Sequence, residues 1–186
     1  EKLIETGLVA GVLDLTTTEW ADEYVGGTLS AGPERMDAVA KMKVPAVVAP
    51  GCLDMVNFGE RPSVPKRFEG RNFYIHNPQV TLMRTSPGEC RELGKIVASK
   101  VNSYEAPCVV MIPTQGISVI SQKGQPFYDP EADRVLFAAL EACAHAEVVR
   151  IDDHINGEEF PICCAQKLLE LMATDEPSIS STQPTT

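Results

Sequence analysis

Asp14, Asp54 and His154 are the side chains of this sequence best placed for acid–base work, because each follows or closes an apolar run. Asp14 sits in GVLDL and is followed by Thr16, Thr17, Thr18 and Glu19. Asp54 shares the stretch GCLDMVNFG with Asn57, and His154 shares DDHIN with Asn156. A third run ends in His76 and Asn77, with Arg84 further on, and a fourth runs into Thr114, Gln115, Gly116 and Ser118. Imidazole titrates nearest neutral pH and suits a general base. Carboxylate and imidazole together also suit a divalent metal, although the spacing demands none. Threonine hydroxyls backed by helix N-terminal amides fit an anion, and an arginine can clamp phosphate or carboxylate bidentately.

Each residue also has an ordinary structural reading. Threonines after a strand cap the next helix. Asp54 and Asn57 can stabilise a turn through Asx-type bonds. Arg84 can form a plain ion pair. Asp14 is flanked by leucines, so its carboxylate must find a partner or face a cavity. His145 falls at a helix end, where a positive charge suits the dipole.

The elements that would position these groups follow from the hydrophobic pattern. Apolar segments at 9–15, 45–50, 72–77, 107–113 and 146–152 read as strands, mostly separated by helical patterns. The helix at 86–102 has Ser86 as its cap, and the one after Asp129 has Pro130 at its first position. The polar loop between them, TQGISVISQKGQPFYD, has room for a short hairpin. Strands that are apolar throughout and alternate with helices predict a doubly wound α/β lobe. Its mostly parallel sheet would have about five strands, with helices on both faces. In such a sheet ligands bind outside the carboxyl ends of the strands. All five predicted strands run into hydrogen-bonding residues at those ends.

Composition narrows the function. The chain has 186 residues, 44% of them hydrophobic, which suffices for a core. A net charge of −10 argues against nucleic acid as a partner. No apolar run reaches the roughly 20 residues of a membrane span, so no membrane partner is expected. The six cysteines lack metal-site spacing and read as buried thiols of a cytoplasmic protein. Residues 1–173 read as the lobe and the Ser/Thr/Pro-rich stretch 174–186 as a disordered tail or linker. The abrupt start reads as a piece of a longer polypeptide. There is no GxGxxG, no Walker loop, no GxSxG and no HExxH.

The blocks GVLDLTTTEWADEYVGGTLSAGPERMDA, PGCLDMVNFG, HNPQVTLMRT, GQPFYDPEAD and DDHIN resemble a known family, in order and approximate spacing, from the first residue to about residue 173. It is the uncharacterised family that includes the tomato mosaic virus resistance protein, often described as having an ATP-binding domain. The resemblance implies a Rossmann-like lobe, the second of two, with a glycine-rich N-terminal lobe before it and a C-terminal barrel domain in some members. It places family motifs on Asp14, Thr16 to Glu19, Asp54, Met55, Asn57, Phe58, Gly59, His76, Asn77, Arg84, His154 and Asn156. Two positions depart from it: the family has an acidic residue where this chain has Gly157, and another where it has Ser121.

The expectation is therefore a lobe that binds a nucleotide or other phosphorylated small molecule in a cleft between lobes. Thr16, Thr17, Thr18, Glu19, Asn57, His76, Asn77, Arg84 and Asn156 would contact the ligand. The cofactor is open, with ATP and a divalent metal as candidates, and a homo-oligomer is expected. Two alternatives stand beside it. One is a metal-assisted or acid–base hydrolase or transferase using Asp14, Asp54 and His154; the other is a macromolecular interaction protein.

Overall fold

A computed structural model describes residues 1–175 of the chain. In chain order the elements are α1 (Lys2–Glu5), β1 (Val12–Thr16), α2 (Glu19–Val25), α3 (Asp37–Met42), β2 (Ala46–Gly51), β3 (Met55–Phe58), β4 (Phe73–Asn77) and β5 (Val80–Arg84). They continue with α4 (Pro87–Val101), β6 (Cys108–Pro113), α5 (Pro130–Cys143), β7 (Glu147–Ile151) and α6 (Glu159–Asp175). Helix α6 takes in the first two residues of the expected tail, and the rest of that tail lies outside the described residues.

The strands β1, β2, β6 and β7 pair in parallel in that order. Every residue of β2 is buried, as both-face coverage of a parallel strand requires. Alternate side chains divide between two cores. Val48, Val110 and Ile112 pack with Trp20 of α2, Leu93 and Val97 of α4, and Leu136 and Leu140 of α5. Val47, Ala49, Val109 and Met111 point the other way and meet Phe160 and Cys164 of α6. Sheet order rises steadily along the chain, so right-handed crossovers put the intervening helices on one face. Helix α6 follows the last strand and covers the other face.

The helix starts are local. Ser86 accepts from the Glu89 amide while the Glu89 carboxylate accepts from the Ser86 amide, a reciprocal capping box. The Asp129 side chain accepts from the amides of Glu131 and Ala132, with Pro130 opening α5. All six cysteines are free. No helix of the described residues is long and apolar enough to cross a membrane.

The strand predicted at 72–77 forms, but not in the parallel sheet. It is β4 of a separate antiparallel sheet of order β3-β5-β4. Residues 78 and 79 alone join β4 to β5, and a parallel crossover needs a dozen residues or more. The Asn77 side chain accepts from the Gln79 amide and stabilises that turn. The parallel sheet therefore has four strands, and His76 and Asn77 belong to a hairpin beside it. The stretch with room for a hairpin instead makes a 3₁₀ turn at Val119–Ser121.

Candidate functional site

A pocket of about 230 Å³ opens at the carboxyl edge of the parallel sheet. Thr16 ends β1, Cys52 follows β2, Ser118, Val119 and Ile120 follow β6, and Ile155 and Asn156 follow β7. The antiparallel sheet supplies Met55, His76 and Leu82 to the same pocket. All four parallel strands and the hairpin thus converge here. Of the residues singled out from the sequence, Thr16, Met55, His76, Ser118 and Asn156 line the pocket. Its surface is mainly apolar, which suits a flat or hydrophobic ligand body more than a bare anion. Cys52 has φ +59, an unusual conformation for a side-chain-bearing residue, and its amide donates to the Ile117 carbonyl at 2.8 Å. That bond ties the exit of β2 to the loop after β6.

Asp54 lies directly behind this wall. Its carboxyl is fully buried, and Oδ2 accepts a 2.6 Å hydrogen bond from the Ser118 hydroxyl. Oδ1 has no hydrogen-bond partner among the described residues. Burial pushes the Asp54 pKa up, against the opposing pull of the Ser118 hydrogen bond and the Arg84 charge. Asp54 therefore holds the Ser118 hydroxyl and does not itself line the pocket. Ser118 also caps the 3₁₀ turn, with Ser121 closing the reciprocal box. The serine at 121, where the family resemblance implied an acid, thus serves the turn.

Most of the other predicted residues are committed elsewhere. Asp14 accepts two 2.6 Å bonds from the Arg35 guanidinium, so its carboxylate found a partner and not a cavity. Glu19 lies 3.5 Å from Arg35 Nε in the same ionic cluster. The Thr17 hydroxyl donates to the Ala49 carbonyl, tying β1 to β2. Thr18 occupies the N-cap of α2 without a side-chain capping bond. Asn57 donates through Nδ2 to Asp22 at 2.8 Å, holding β3 against α2. Burial pushes the Asp22 pKa up despite that bond.

Arg84 is 4% exposed and fully engaged. It donates to the carbonyl of Phe127 at 2.9 Å, to Thr85 Oγ1 at 3.0 Å and to Asp133 Oδ1 at 2.5 Å. It joins the antiparallel sheet to the entry of α5, and no face is left for a ligand phosphate. His154 Nδ1 accepts from the Asn156 amide within its own turn. Asp153 caps α6 by accepting from the amides of Glu159 and Phe160. A Cβ on Gly157 would overlap the Asp153 carboxylate, so glycine at this departure from the family pattern goes with the cap.

No hydrogen bond joins any two of Asp14, Asp54 and His154 among the described residues. Nor is any group of three His, Cys, Asp or Glu side chains among those residues disposed to hold a metal. No chemistry is derived through a divalent ion. Sequence reasoning missed Cys52, Leu82, Val119, Ile120 and Ile155 as lining. Apolar residues carry no chemical signature, and a ligand wall made of them reads as core.

The model of the uncharacterised protein family UPF0261, C-terminal domain, matches residues 1–172. A UPF0261 protein of Clostridium tetani is 47% identical over 175 residues, covering 92% of this chain and 43% of that protein. A UPF0261 protein of Mesorhizobium japonicum is 45% identical over 164 residues, covering 86% of this chain and 41% of that one. The tomato (Solanum lycopersicum) ToMV resistance protein Tm-1(GCR237) is 39% identical over 175 residues, covering 92% of this chain and 23% of its own length. The chain thus spans less than half of each of these relatives.

Proposed function

This chain belongs to the uncharacterised protein family UPF0261, and we propose that it is the ligand-binding lobe of a two-lobed α/β protein that takes a nucleotide or other phosphorylated small molecule. The observation that supports this reading is the pocket of about 230 Å³ at the carboxyl edge of the sheet. That is where open parallel sheets bind ligands. Its apolar lining would hold the base or carbon skeleton, with Thr16 and Asn156 fixing orientation. His76 is the imidazole that faces the ligand. A second lobe would close over the open mouth by hinge motion.

The test is thermal unfolding of the full-length protein against a panel of nucleotides and sugar phosphates. A true ligand stabilises by about 2.7 kcal/mol at a hundredfold excess over its Kd. Val119→Asp, which puts a charge on the exposed pocket wall, should abolish the shift while leaving unliganded stability close to wild type. No shift with any member of the panel would sink the reading.

A further inference from the structure

We infer that a second cavity, of about 200 Å³ between the exits of β6 and β7 and the first turns of α5, is an anion site for a phosphoryl group, walled by Lys123, Arg134 and Arg150. It rests on the proposed function for the identity of the whole ligand and assigns that ligand's charged end. Three cations converge on one cavity in a chain whose 26 acidic residues outnumber its 16 lysines and arginines. Lys123 and Arg134 enter no ion pair among the described residues. Like charges left unpaired in a shared concavity, in a chain rich in available carboxylates, gain nothing for the fold. They do concentrate an anion, because clustered unpaired charge of one sign focuses the field.

The remaining polar groups agree with that assignment. Asp133 also lines the cavity, but Arg84 is bonded to it at 2.5 Å, so its charge is already met. Arg150 donates to Glu141 through Nε and Nη2, which leaves Nη1 for a ligand. Its guanidinium lies 5.8 Å from the centre of the Phe137 ring, which helps hold its orientation. Arginine suits phosphoryl oxygens by its planar fork of donors. Thr114 and Gln115, at the carboxyl end of β6, place the cavity on the ligand-binding edge of the sheet.

The loop after β6 joins the two sites. Gly116 and Ser121 line the cationic cavity, while Ser118, Val119 and Ile120 line the apolar pocket. A ligand with an apolar body and a phosphate tail would straddle this loop. The division of labour follows: body in the pocket, phosphate among the cations.

Inorganic pyrophosphate is the probe, titrated calorimetrically into the full-length protein and its variants. Lys123 and Arg134 are exposed, so their replacement by alanine should leave the fold intact. The wild type should bind, and Lys123→Ala/Arg134→Ala should weaken binding about tenfold or more, with Arg134→Lys intermediate. Val119→Asp should leave pyrophosphate binding within a few-fold of wild type. Absence of binding by the wild type, or unchanged binding by the double variant, overturns the inference. If nucleotide shifts survive in the double variant, the pocket stands without the anion site. If pyrophosphate binds and no nucleotide or sugar phosphate binds better, the anion site stands and the pocket reading fails.

Discussion

Asp54 carries its carboxyl in full burial with a single donor, Ser118, and an unpartnered Oδ1. An ionised carboxylate there lacks both water and a full set of donors, so the neutral form is favoured. An unfolded aspartate titrates near 3.9, and burial holds the folded value higher. In the window above about 3.9 the folded chain then binds more protons than the unfolded one. The stability that neutral Asp54 contributes is complete below this window and is lost as pH rises through the folded pKa. Asparagine keeps an acceptor for the Ser118 hydroxyl and carries no charge. Asp54→Asn should therefore gain on the wild type as pH is raised from about 4 and level off once the folded pKa is passed, read from urea midpoints at constant m. A difference that stays flat throughout that rise would show that Asp54 ionises as freely folded as unfolded. The sequence marked this residue as an acid–base candidate or a turn stabiliser, but not where its carboxyl pointed. The same limit held for Asp14, whose partner Arg35 lies 21 residues along the chain in a turn before α3. Contacts of that separation leave no local trace.

At the scale of elements, Arg84 is the joint between the antiparallel sheet and α5. Its guanidinium reaches the loop before α5 and Asp133 on α5 itself, while its backbone belongs to β5. Breaking a buried pair by removing one member costs about 3–5 kcal/mol, because the other charge is left uncompensated. Arg84→Met should show that loss in chemical denaturation. Replacing both charges removes the stranded carboxylate, so Arg84→Met/Asp133→Leu should cost less than the two single losses added together. Strict additivity would mean that the pair contributes through independent packing and not through its mutual charge. This joint was hidden because β3 and β5 were hidden. They span 4 and 5 residues and mix buried Asn57, Thr81 and Arg84 with apolar neighbours, which erases alternation. The hairpin signal lay in Asn77-Pro78-Gln79 between two β-rich runs. Starts of α4 and α5 were readable, since a cap and its partner lie within three residues of each other.

Over the whole molecule, the class of the fold was legible because burial on both faces makes β2 and β6 continuously apolar. The split into four parallel and three antiparallel strands was not, because it depends on pairing across distance. The carboxyl-edge rule led to the edge where a pocket opens: Thr16, His76 and Asn156 line it, whereas Asn57 and Arg84 are spent on joining elements. The same architecture makes the two faces unequal. Several helices cover one, and α6 covers the other through Phe160 and Cys164. Ile155 belongs to that second core and also lines the pocket, so the core supports the site directly. Phe160→Ala should cost about 3–5 kcal/mol and also weaken ligand binding by loosening the Ile155 wall. Leu93→Ala, in the first core and away from the pocket, should cost about 2–5 kcal/mol with ligand affinity retained. Denaturant midpoints give the stabilities, and ligand titrations well below each variant's unfolding temperature give the affinities. If both variants lost affinity in proportion to stability, the pocket would depend on global order alone. A loss confined to Phe160→Ala would tie ligand binding to the face that α6 covers.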